Sequence, residues 1–528
     1  MVRALPGTAA AADEDAPTGG IETVGRLLAT VGPPGVVLVA LALFLPTLQP
    51  GLALWDTGEF QSVPPLMGTM HATGFPAYTI LGWFASVILQ PLGGPAYRMN
   101  LFSALCIASA AGLTVVLVRS LTGRPAIAIA AGLVLGLTEV SWRISTHADA
   151  HSLHLALLVV LFIFLVGWEL RVRAGDGHAD RWLIAAAATY GVAVANHSLV
   201  LLVGPGILLF VRAVEPGIFA RRGLVARCVA AFAAVVTAFY LELPLRAGPF
   251  RAPLVYGHPE TWGGFWYVVL AQQFRGDLGS PLADLATKFH ALVDFGAREL
   301  GPLAALLPAG IVAVWARSKP YALLTIPTFG LTCFFSMSYS NADIERYYLG
   351  PLLIAVTWMA ILAAWAVEAA GRRIGRPAET AGRVLVLDVL VAVIVAAPTI
   401  GAAGAVSASV DRSRDVSVAD WVDGLLPQLA PDAVVISWWS YSTPLWYARD
   451  VEGRRTDITV IDDRTILDDN LGDVTHVIDA YLASRPVYVI RLPDALAALK
   501  TRYEVTPLSD TLGSGIVRVT GYLPGIVP

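Results

Sequence analysis

Long apolar stretches recur along most of this 528-residue chain, and they constrain its fold more than any other feature. A transmembrane helix needs about 20 consecutive apolar residues. Windows near that length lie at residues 31–48, 75–92, 99–118, 125–143, 151–170, 181–212, 224–246, 299–316, 320–338, 347–370 and 384–406. The chain is 56% hydrophobic and 14% charged, with a mean hydropathy of +0.65, as is typical of polytopic membrane proteins. The sequence therefore predicts an α-helical membrane protein with roughly 11 or 12 transmembrane helices.

The window at residues 181–212 is too long for one ordinary span. Gly191 and the polar triplet Asn196-His197-Ser198 interrupt it. Irregular backbone at membrane depth has to be surrounded by protein or by a water-filled cavity. We therefore expect two short helices that meet at a break.

Basic loops predict the orientation, because they favour the cytoplasmic side. With a cytoplasmic N-terminus, the later basic loops are consistent, and they contain Arg221, Arg222, Arg227, Arg317, Lys319, Arg372, Arg373, Arg376 and Arg383. Everything after residue 406 then lies outside. The earlier basic residues become cytoplasmic only if the window 75–92 does not cross fully and the window 181–212 is a broken pair. These residues are Arg119, Arg124, Arg171, Arg173 and Arg181. The same arrangement moves residues 147–151 outside.

Composition divides the chain into three parts. Residues 1–30 are rich in Ala, Gly and Pro and predict a disordered cytoplasmic tail. Residues 31–406 form the membrane domain, with external loops at about 51–74 and 247–298. Residues 408–528 regain charge and predict a small extracytoplasmic α/β domain, because β-branched runs occur at 433–437, 458–461 and 487–490.

An aromatic cluster at residues 438–447 follows the first predicted strand of this outer domain. Aromatic rings stack on sugars at binding sites, and they also bury large areas where domains meet. Packing against the membrane domain is the favoured interpretation.

Charge and cysteine usage argue against two other kinds of site. The net charge is −4 and no basic patch interleaved with aromatics is present, so nucleic acid is not an expected partner. Cys106, Cys228 and Cys333 lie far apart inside apolar stretches. This spacing argues against a zinc site or a disulfide framework.

Asp56 and Glu59 lie just past the first apolar window. Acids beside a bilayer are costly unless they are paired, hydrated or functional. Three residues apart, they share one face of a helix. One can then act as a general base on an acceptor hydroxyl, while the other orients the acceptor or binds a cation. The alternative is a capping box, in which Asp56 caps a short helix and Glu59 completes the motif. From these residues alone the two interpretations are equally supported.

His71 opens the segment HATGFP at residues 71–76. A histidine here can bind a phosphate or orient the nearby acid. The alternative, a hydrogen-bonded structural histidine, is the commoner role of a lone histidine near an interface.

Three motifs near the first window resemble those of a known family. They are DTGEF at residues 56–60, HATGFP at 71–76 and YRMNLFSAL at 97–105. They resemble the DUF2723 family of multi-pass proteins, which is similar to the protein O-mannosyltransferases and whose members are taken to be GT-C fold glycosyltransferases. The family pattern is Asp-Ser-Gly-Glu, His-Pro-Pro-Gly-Tyr-Pro and Arg-x-Asn-x-x-Ser. This chain keeps Asp56, Gly58, Glu59, His71, Gly74, Pro76, Arg98, Asn100 and Ser103, and departs at Thr57, Ala72 and Thr73.

Two weaker matches follow. DAHSL at residues 149–153 is similar to the family's Glu-Val-Tyr-x-Leu segment, and NHSL at 196–199 is similar to an Asn-His-His-Thr segment. The resemblance covers the membrane domain up to about residue 200.

The resemblance implies a GT-C type glycosyltransferase, of the hexosyl or mannosyl kind. It would move a sugar from a polyprenyl-phosphate donor in the membrane lipid to an acceptor hydroxyl at the outer face. The acceptor is a protein, a lipid or a glycan. The implied catalytic base is Asp56, with Glu59 as its partner. The implied substrate-binding residues, chiefly for the departing phosphate, are His71, Arg98, Asp149, His151, His197 and Arg346.

No cofactor is expected, because the family precedent is metal-independent. His147, Asp149 and His151 have the residue types of a metal site, so a divalent cation is the minor alternative. Arg346 has a second interpretation as a salt-bridge partner of Glu345 or Asp343, and Arg98 has one as an ordinary loop charge.

Two other classes of function stay open. A lipid-linked-glycan flippase or transporter is expected to show an internal repeat with broken helices at matching places, and none is visible. A non-catalytic scaffold that binds glycolipid is the third reading, because the altered turn after His71 is the kind of change that a lost activity leaves.

Overall fold

The computed structural model describes residues 18–277, 279, 283–339, 343–372 and 377–526. Its membrane domain is a bundle of helices. They are α1 (Thr18–Phe44), α2 (Trp55–Leu66), α3 (Pro76–Ile88), α4 (Pro95–Thr122), α5 (Pro125–Leu137), α6 (Glu139–Ser145), α7 (Ala150–Arg173), α8 (Asp180–Asn196), α9 (Gly204–Val214), α10 (Arg222–Tyr240), α11 (Glu242–Ala247), α12 (Trp262–Val269), α13 (Leu285–Leu300), α14 (Leu307–Arg317), α15 (Lys319–Ser338), α16 (Leu349–Gly371) and α17 (Pro377–Val410).

The predicted N-terminal tail lies outside the described residues as far as residue 17. Helix α1 already begins at Thr18, so the helical part starts earlier than the predicted boundary at residue 30. The membrane bundle reaches Val410 at its other end, close to the predicted boundary.

Among the described residues, eight helices are long and apolar enough to cross a bilayer, or nine if the pair α5 and α6, bent by 63°, is one span. Each predicted window falls on a helix, and the helical membrane fold is confirmed. The long helices are fewer than the roughly 11 or 12 spans expected from window length, because several windows form short or broken helices.

Helix α3 is one of the short ones, with 13 residues. At 1.5 Å per residue it is about 20 Å long, too short to span a bilayer core of about 30 Å. It begins next to His71, and near its end the carbonyl of Ser86 accepts a hydrogen bond from Arg98 at the start of α4. A helix of this length fits the partial crossing of the window 75–92 that the orientation argument requires, and the side on which it ends stays a prediction.

The window 181–212 is broken where the polar triplet predicted. Helix α8 ends at Asn196, and a 3-10 segment (Ser198–Val203) leads into α9. The Asn196 side chain donates to the carbonyl of Ala150, 3.1 Å away, which ties the break to the start of α7. His197 is thereby held at the same end of the bundle as the loop before α7.

Ion pairs join several basic turns at what we call the basic end of the bundle. They are Arg221 with Asp180, Arg317 with Glu368, and Arg124 with Asp388. Asp56, residues 147–151 and Arg346 lie together at the opposite end, which we call the site end. This separation agrees with the arrangement predicted from a partly crossing window 75–92 together with a broken window 181–212, and which end faces the cytoplasm stays a prediction.

The C-terminal region is a small α/β unit built on one five-stranded sheet. Its elements are α18 (Ser417–Leu425), β1 (Val434–Ile436), α19 (Trp439–Trp446), β2 (Thr459–Ile461), α20 (Asp463–Asp468), α21 (Val474–Leu482), β3 (Val487–Ile490), α22 (Pro493–Leu499), β4 (Tyr503–Pro507) and β5 (Ile516–Tyr522). The strand order is β2-β1-β3-β5-β4. The first three strands are parallel, and β5 and β4 are antiparallel to their neighbours. The three predicted strands are the three parallel ones.

The C-terminal unit docks on the membrane domain through α19 and α2. A side chain at Gly58 would lie 2.5 Å from the Thr443 hydroxyl, so only glycine permits this approach. Trp446, Phe60 and Val435 share one buried apolar cluster across the junction. The favoured interpretation of the aromatic cluster, packing against the membrane domain, describes most of its members.

Candidate active site

A cavity of about 500 Å³ opens at the site end, between the membrane bundle and the loop at residues 247–298. Its polar and charged lining combines residues that are far apart in the chain. They are Asp56, His71, Thr73, His151, His197, Ser198, Arg275, Tyr339, Arg346 and Tyr347. Apolar rings complete the wall, including Phe60, Phe75 and Phe274.

Asp56 is placed by the first turn of α2. One carboxylate oxygen accepts a hydrogen bond from the Arg346 guanidinium at 3.0 Å, and the other accepts one from the Trp439 indole at 3.2 Å. Asp56 lies inside the helix rather than at its cap, and no side-chain cap bond forms. The capping-box alternative is therefore wrong.

Glu59 is buried one turn further along α2 and pairs with His71 rather than with Asp56. One carboxylate oxygen contacts Nδ1 of His71, and the other accepts the backbone N–H of His71 at 2.8 Å. Because Nδ1 is held by the carboxylate, Nε2 is the ring nitrogen left for the cavity. Glu59 thus fixes the orientation of His71.

Arg346 bridges two carboxylates. Besides Asp56, it donates to Asp149 at 3.2 Å. Asp149 also accepts the backbone N–H of His151 at 2.7 Å and contacts the ring Nδ1 of His151 at 2.9 Å. The Nε atom of Arg346 is buried and has no hydrogen-bond partner in the part of the chain that the structure describes. The guanidinium serves the two acceptors through two separate nitrogens held in one plane, whereas a lysine has a single nitrogen.

The salt bridges of Arg346 are not to Glu345 or Asp343, which was the predicted alternative. Arg143 forms ion pairs with both of these acids, with Asp343 at 2.6 Å and with Glu345 at 3.2 Å. Arg346 is left for the cavity.

His151 and His197 line the cavity beside Tyr347. The rings of His151 and His197 lie 4.6 Å apart between centroids, and His151 lies 4.9 Å from Tyr347. His197 accepts the backbone N–H of Leu199 at 3.1 Å through Nδ1, which orients its ring at the helix break. Both histidines are buried.

The motif residues Asn100 and Ser103 do not line the cavity but form hydrogen bonds to the loop before α7. Asn100 accepts hydrogen bonds from the Gln61 side chain and from the backbone N–H of Ala148, each at 2.9 Å. Ser103 accepts the backbone N–H of Asp149 at 3.0 Å. Together they hold the loop that carries Asp149.

Arg98, predicted to bind substrate, does not line the cavity. Its guanidinium donates to the carbonyl of Ser86 at the end of α3. The interpretation as a loop charge fits this position better, with α3 and α4 joined by the contact.

No group of three or more His, Cys, Asp or Glu side chains is arranged to hold a metal ion within the described residues. His147, one of the residues considered for such a site, contacts the hydroxyl of Thr146 at 3.2 Å through Nδ1.

The pKa values of the titratable groups at the site are shifted by burial and by neighbouring charges. Burial opposes ionisation of Asp56, but His71 and Arg346 outweigh it and hold the pKa of this carboxyl below its ordinary value. Burial also opposes ionisation of Asp149, yet His151 and Arg346 lower its pKa. Burial by itself would lower the pKa of His71, but Glu59 and Asp56 raise it above the ordinary value. These shifts favour the anionic form of Asp56 and the cationic form of His71.

Two site residues were missed by the sequence argument. Trp439 was considered only as part of an aromatic cluster, yet it bonds Asp56 and lies 5.5 Å from the His71 ring. Tyr347 received no predicted role. The available signal for Tyr347 was its place next to Arg346, and for Trp439 no local pattern pointed to the site.

The chain is similar to known proteins both in sequence and in fold. Residues 56–215 match the family described as Protein O-mannosyl-transferase TMEM260 N-terminal domain. A curated relative, Protein O-mannosyl-transferase TMEM260 of Mus musculus, is 29% identical over 266 residues, which are 48% of this chain and 35% of the relative. The chain thus spans about a third of that relative's length. The expected similarity to O-mannosyltransferases is confirmed, and the narrower DUF2723 assignment stays a prediction.

Solved structures are similar over nearly the whole chain. ArnT from Cupriavidus metallidurans bound to undecaprenyl phosphate has a TM-score of 0.63 and 16% identity, covering 96% of this chain and 98% of ArnT. AglB from Archaeoglobus fulgidus, in complex with an inhibitory peptide and a dolichol-phosphate, has a TM-score of 0.51 and 14% identity, covering 87% of this chain and 69% of AglB. The protein therefore has the GT-C fold of ArnT and AglB, and its residues 56–215 resemble the N-terminal domain of an O-mannosyl-transferase.

Proposed function

We propose that the protein is a membrane glycosyltransferase that moves a sugar from a polyprenyl phosphate to an acceptor hydroxyl at the outer face. The observation that carries the proposal is the arrangement around one cavity of a carboxylate, an imidazole and a guanidinium, from Asp56, His71 and Arg346. Sugar transfer needs a base for the acceptor and positive charge for the departing phosphate. The similarity to an O-mannosyl-transferase supports mannose as the sugar.

The chemistry follows from these positions. The acceptor oxygen attacks the anomeric carbon, and the bond from that carbon to the phosphate oxygen breaks. Asp56 takes the proton of the acceptor hydroxyl. The electron pair of the broken bond leaves with the lipid phosphate, whose negative charge His71 and Arg346 stabilise. Glu59 acts through His71, because it holds the ring in place and raises the pKa of the imidazole.

A route for the lipid tail adjoins the cavity. A second cavity of about 550 Å³, with a largely apolar lining, shares Ser198, Leu201 and Leu270 with the catalytic cavity. Val236 and Tyr240 of the membrane-spanning helix α10 line it further along. A polyprenyl chain fits such a lining, because its burial there removes apolar surface from water. The phosphate would then lie in the catalytic cavity, which Arg346 and His71 line.

The proposed orientation places the N-terminus in the cytoplasm and the C-terminal unit outside. The basic turns of the basic end support this assignment, because basic loops favour the cytoplasmic side. The acceptor would then reach the site end from outside.

The experiment is transfer of radiolabelled sugar by membranes that contain the protein, compared with membranes that lack it. A panel of polyprenyl-phosphate sugars serves as donor, with and without chelator. We expect one donor to be consumed and its label to appear in an acceptor fraction. A protein that moves labelled lipid across the bilayer without sugar transfer would contradict the proposal and indicate a flippase. Lipid binding with neither activity would indicate a scaffold.

A further inference from the structure

A further cavity opens at the basic end of the membrane bundle, opposite the proposed active site. It has a volume of about 510 Å³ and lies between α7, α8, α9 and α10. The turn at Ile218 and Phe219, just before α10, lines one end, which we call its mouth. None of the lining residues is charged, and all but Tyr190 and Cys228 have side chains without a polar atom. We call this cavity the basic-end groove.

Small residues leave the space of the groove unfilled. Ala187 stands on α8 and Gly204 begins α9, and both line the groove. Along α8 the groove runs from Leu183 to Tyr190, which is about 10 Å of helix. The Tyr190 ring stacks on that of Phe232, with 5.5 Å between centroids, at the end away from the mouth. One leaflet of a bilayer core is about 15 Å thick, so the groove has room for the first part of an acyl chain.

The groove is open to the bilayer, so lipid can enter it. Leu208, Phe219 and Val229 line the groove and are exposed at the surface of the bundle. Two of the bordering helices, α7 and α10, are long and apolar enough to cross a membrane. An apolar lining offers water too few hydrogen-bond partners to hold it in place. An acyl chain instead gains van der Waals contacts with the same lining.

Positive charge surrounds the mouth of the groove. Five arginines lie within three residues of a lining residue, and they are Arg181, Arg212, Arg221, Arg222 and Arg227. Two acids meet the same condition, Asp180 and Glu215, which leaves an excess of three positive charges. The mouth is therefore suited to an anionic group.

The two acids at the mouth are already paired. Arg221 forms ion pairs with Asp180 at 2.6 Å and with Glu215 at 3.1 Å, and Arg227 lies 3.5 Å from Asp180. Three exposed arginines form no side-chain hydrogen bond or ion pair with any described residue, and they are Arg181, Arg212 and Arg222. A guanidinium binds phosphate oxygens through its planar N–H groups.

Charge and apolar lining together favour one kind of occupant. Basic turns at a membrane surface are common and by themselves need no ligand. Basic pockets between membrane helices, however, bind the head groups of anionic lipids. A soluble anion would use the arginines and leave the groove unfilled, whereas a zwitterionic lipid would fill the groove and bring a second cation to the arginines. An anionic phospholipid satisfies both parts.

We propose that the basic-end groove binds an anionic phospholipid, with an acyl chain between α8 and α10 and its phosphate beside Arg212 and Arg222. This lipid site is separate from the proposed polyprenyl phosphate site, at the opposite end of the bundle. Helix α8 runs from the groove to Asn196, next to His197 of the catalytic cavity. A bound lipid therefore braces the helix that ends at the catalytic cavity.

Photo-crosslinking tests the proposal without requiring sugar transfer. The probe is phosphatidylglycerol with a diazirine on one acyl chain, at low mole fraction in phosphatidylcholine nanodiscs that contain the full-length protein. The comparison probe is phosphatidylcholine with the same labelled chain, and mass spectrometry locates the labelled residues. We expect the phosphatidylglycerol probe to label the groove segments 183–190 and 204–232 at least about fivefold more than the comparison probe. Equal labelling by the two probes would overturn the proposal.

A competition experiment separates a lipid from a free anion. Unlabelled phosphatidylglycerol should displace the probe from the groove, and inorganic phosphate at matched ionic strength should not. Displacement by inorganic phosphate would indicate an anion site without a lipid chain and would contradict the proposal.

Variants locate the binding. Ala187→Phe fills the groove, and the double variant Arg212→Gln with Arg222→Gln removes two free cations from its mouth. Each is expected to lower labelling by phosphatidylglycerol at least about fivefold. The controls are Ala230→Phe, at an exposed position of α10 outside the lining, and Arg372→Gln, at an exposed position just after α16. Both controls should be labelled like wild type, and equal losses in controls and groove variants would overturn the proposal.

Thermal unfolding gives a second and independent measure, because a ligand that binds only the folded protein raises its Tm. We expect added phosphatidylglycerol to raise the Tm of the wild type and of Ala230→Phe, and to leave that of Ala187→Phe unchanged. The sharp unfolding of each variant also shows that it is folded. An equal rise in Tm for Ala187→Phe would contradict the groove as the binding site.

Discussion

At the scale of residues, sequence motifs identified several reacting groups but not their partners. Asp56, Glu59 and His71 stand in motifs, and the structure places all three at the site. Glu59 was expected to partner Asp56 and instead pairs with His71, while Asp56 pairs with Arg346. Asp56 and Arg346 are 290 positions apart, so no local spacing connects them. Arg98 is the opposite case. It lies in a motif, but its side chain donates a hydrogen bond to the carbonyl of Ser86 near the end of α3 rather than lining the site.

The role of Glu59 predicts a pH effect. In the wild type the pKa of His71 is raised, so we expect activity to be retained above pH 6.5 and to fall as pH rises through the raised value. Glu59→Gln removes the neighbouring charge, and burial then lowers the pKa. The basic limb of the pH–rate profile should move to lower pH by at least about one unit. An unchanged basic limb, measured by kcat against pH, would show that His71 is not the titrating group.

The bridge made by Arg346 predicts a difference between two cations. Arg346→Lys keeps the charge but replaces the two nitrogens that bond Asp56 and Asp149 by one, so the planar fork that spans the two acids is lost. We expect sugar transfer to fall at least about tenfold. Arg317→Lys, at an ion pair of the basic end, is the control and should retain activity. Equal activities of the two variants would argue against a bidentate role for Arg346.

At the scale of elements, hydropathy was sufficient to predict the helices, and polar interruptions were sufficient to predict the breaks. The Asn196-His197-Ser198 triplet predicted the break after α8, because polar residues inside an apolar run need partners. The docking of α19 on α2 had no such signal. It depends on Gly58, whose missing side chain matters only once Thr443 is known to lie against it.

This contact predicts a close-packing defect. Gly58→Ala would put a carbon atom 2.5 Å from the hydroxyl of Thr443, so α19 and its Trp439 must shift away from Asp56. We expect a loss of about 1–3 kcal/mol in stability and a clear loss of transfer, measured by thermal unfolding and by the transfer assay. Gly223→Ala, in α10 with open space around it, is the control. Wild-type unfolding and activity for Gly58→Ala would contradict the docking contact.

At the scale of the whole molecule, the class of protein and the two-part organisation were predictable from composition, since lipid-facing and water-facing segments differ in charge. The assembly of the cavity was not, because its lining combines the first turns of α2, the break after α8, the loop around Phe274 and the segment before α16. Those four pieces meet only when the bundle is folded.

The proposed orientation predicts opposite labelling of two glycines with open space around them, Gly424 in the C-terminal unit and Gly177 at the basic end. Each is changed to Cys in a Cys228→Ser background, because Cys106 and Cys333 are buried. A membrane-impermeant maleimide should label Gly424→Cys in intact cells and Gly177→Cys only after permeabilisation. Labelling of both in intact cells, or the reverse pattern, would contradict the orientation.

The central claim is that Asp56 is the base of a sugar transfer, and single-turnover kinetics test it most directly. Wild type, Asp56→Asn and the exposed control Asp423→Asn are loaded with the labelled polyprenyl-phosphate donor identified in the panel, and acceptor is then added. We predict that Asp56→Asn binds the donor within about threefold of wild type but transfers the sugar at least about 100-fold more slowly, while Asp423→Asn behaves like wild type. Transfer by Asp56→Asn at a rate within a few fold of wild type would contradict the account.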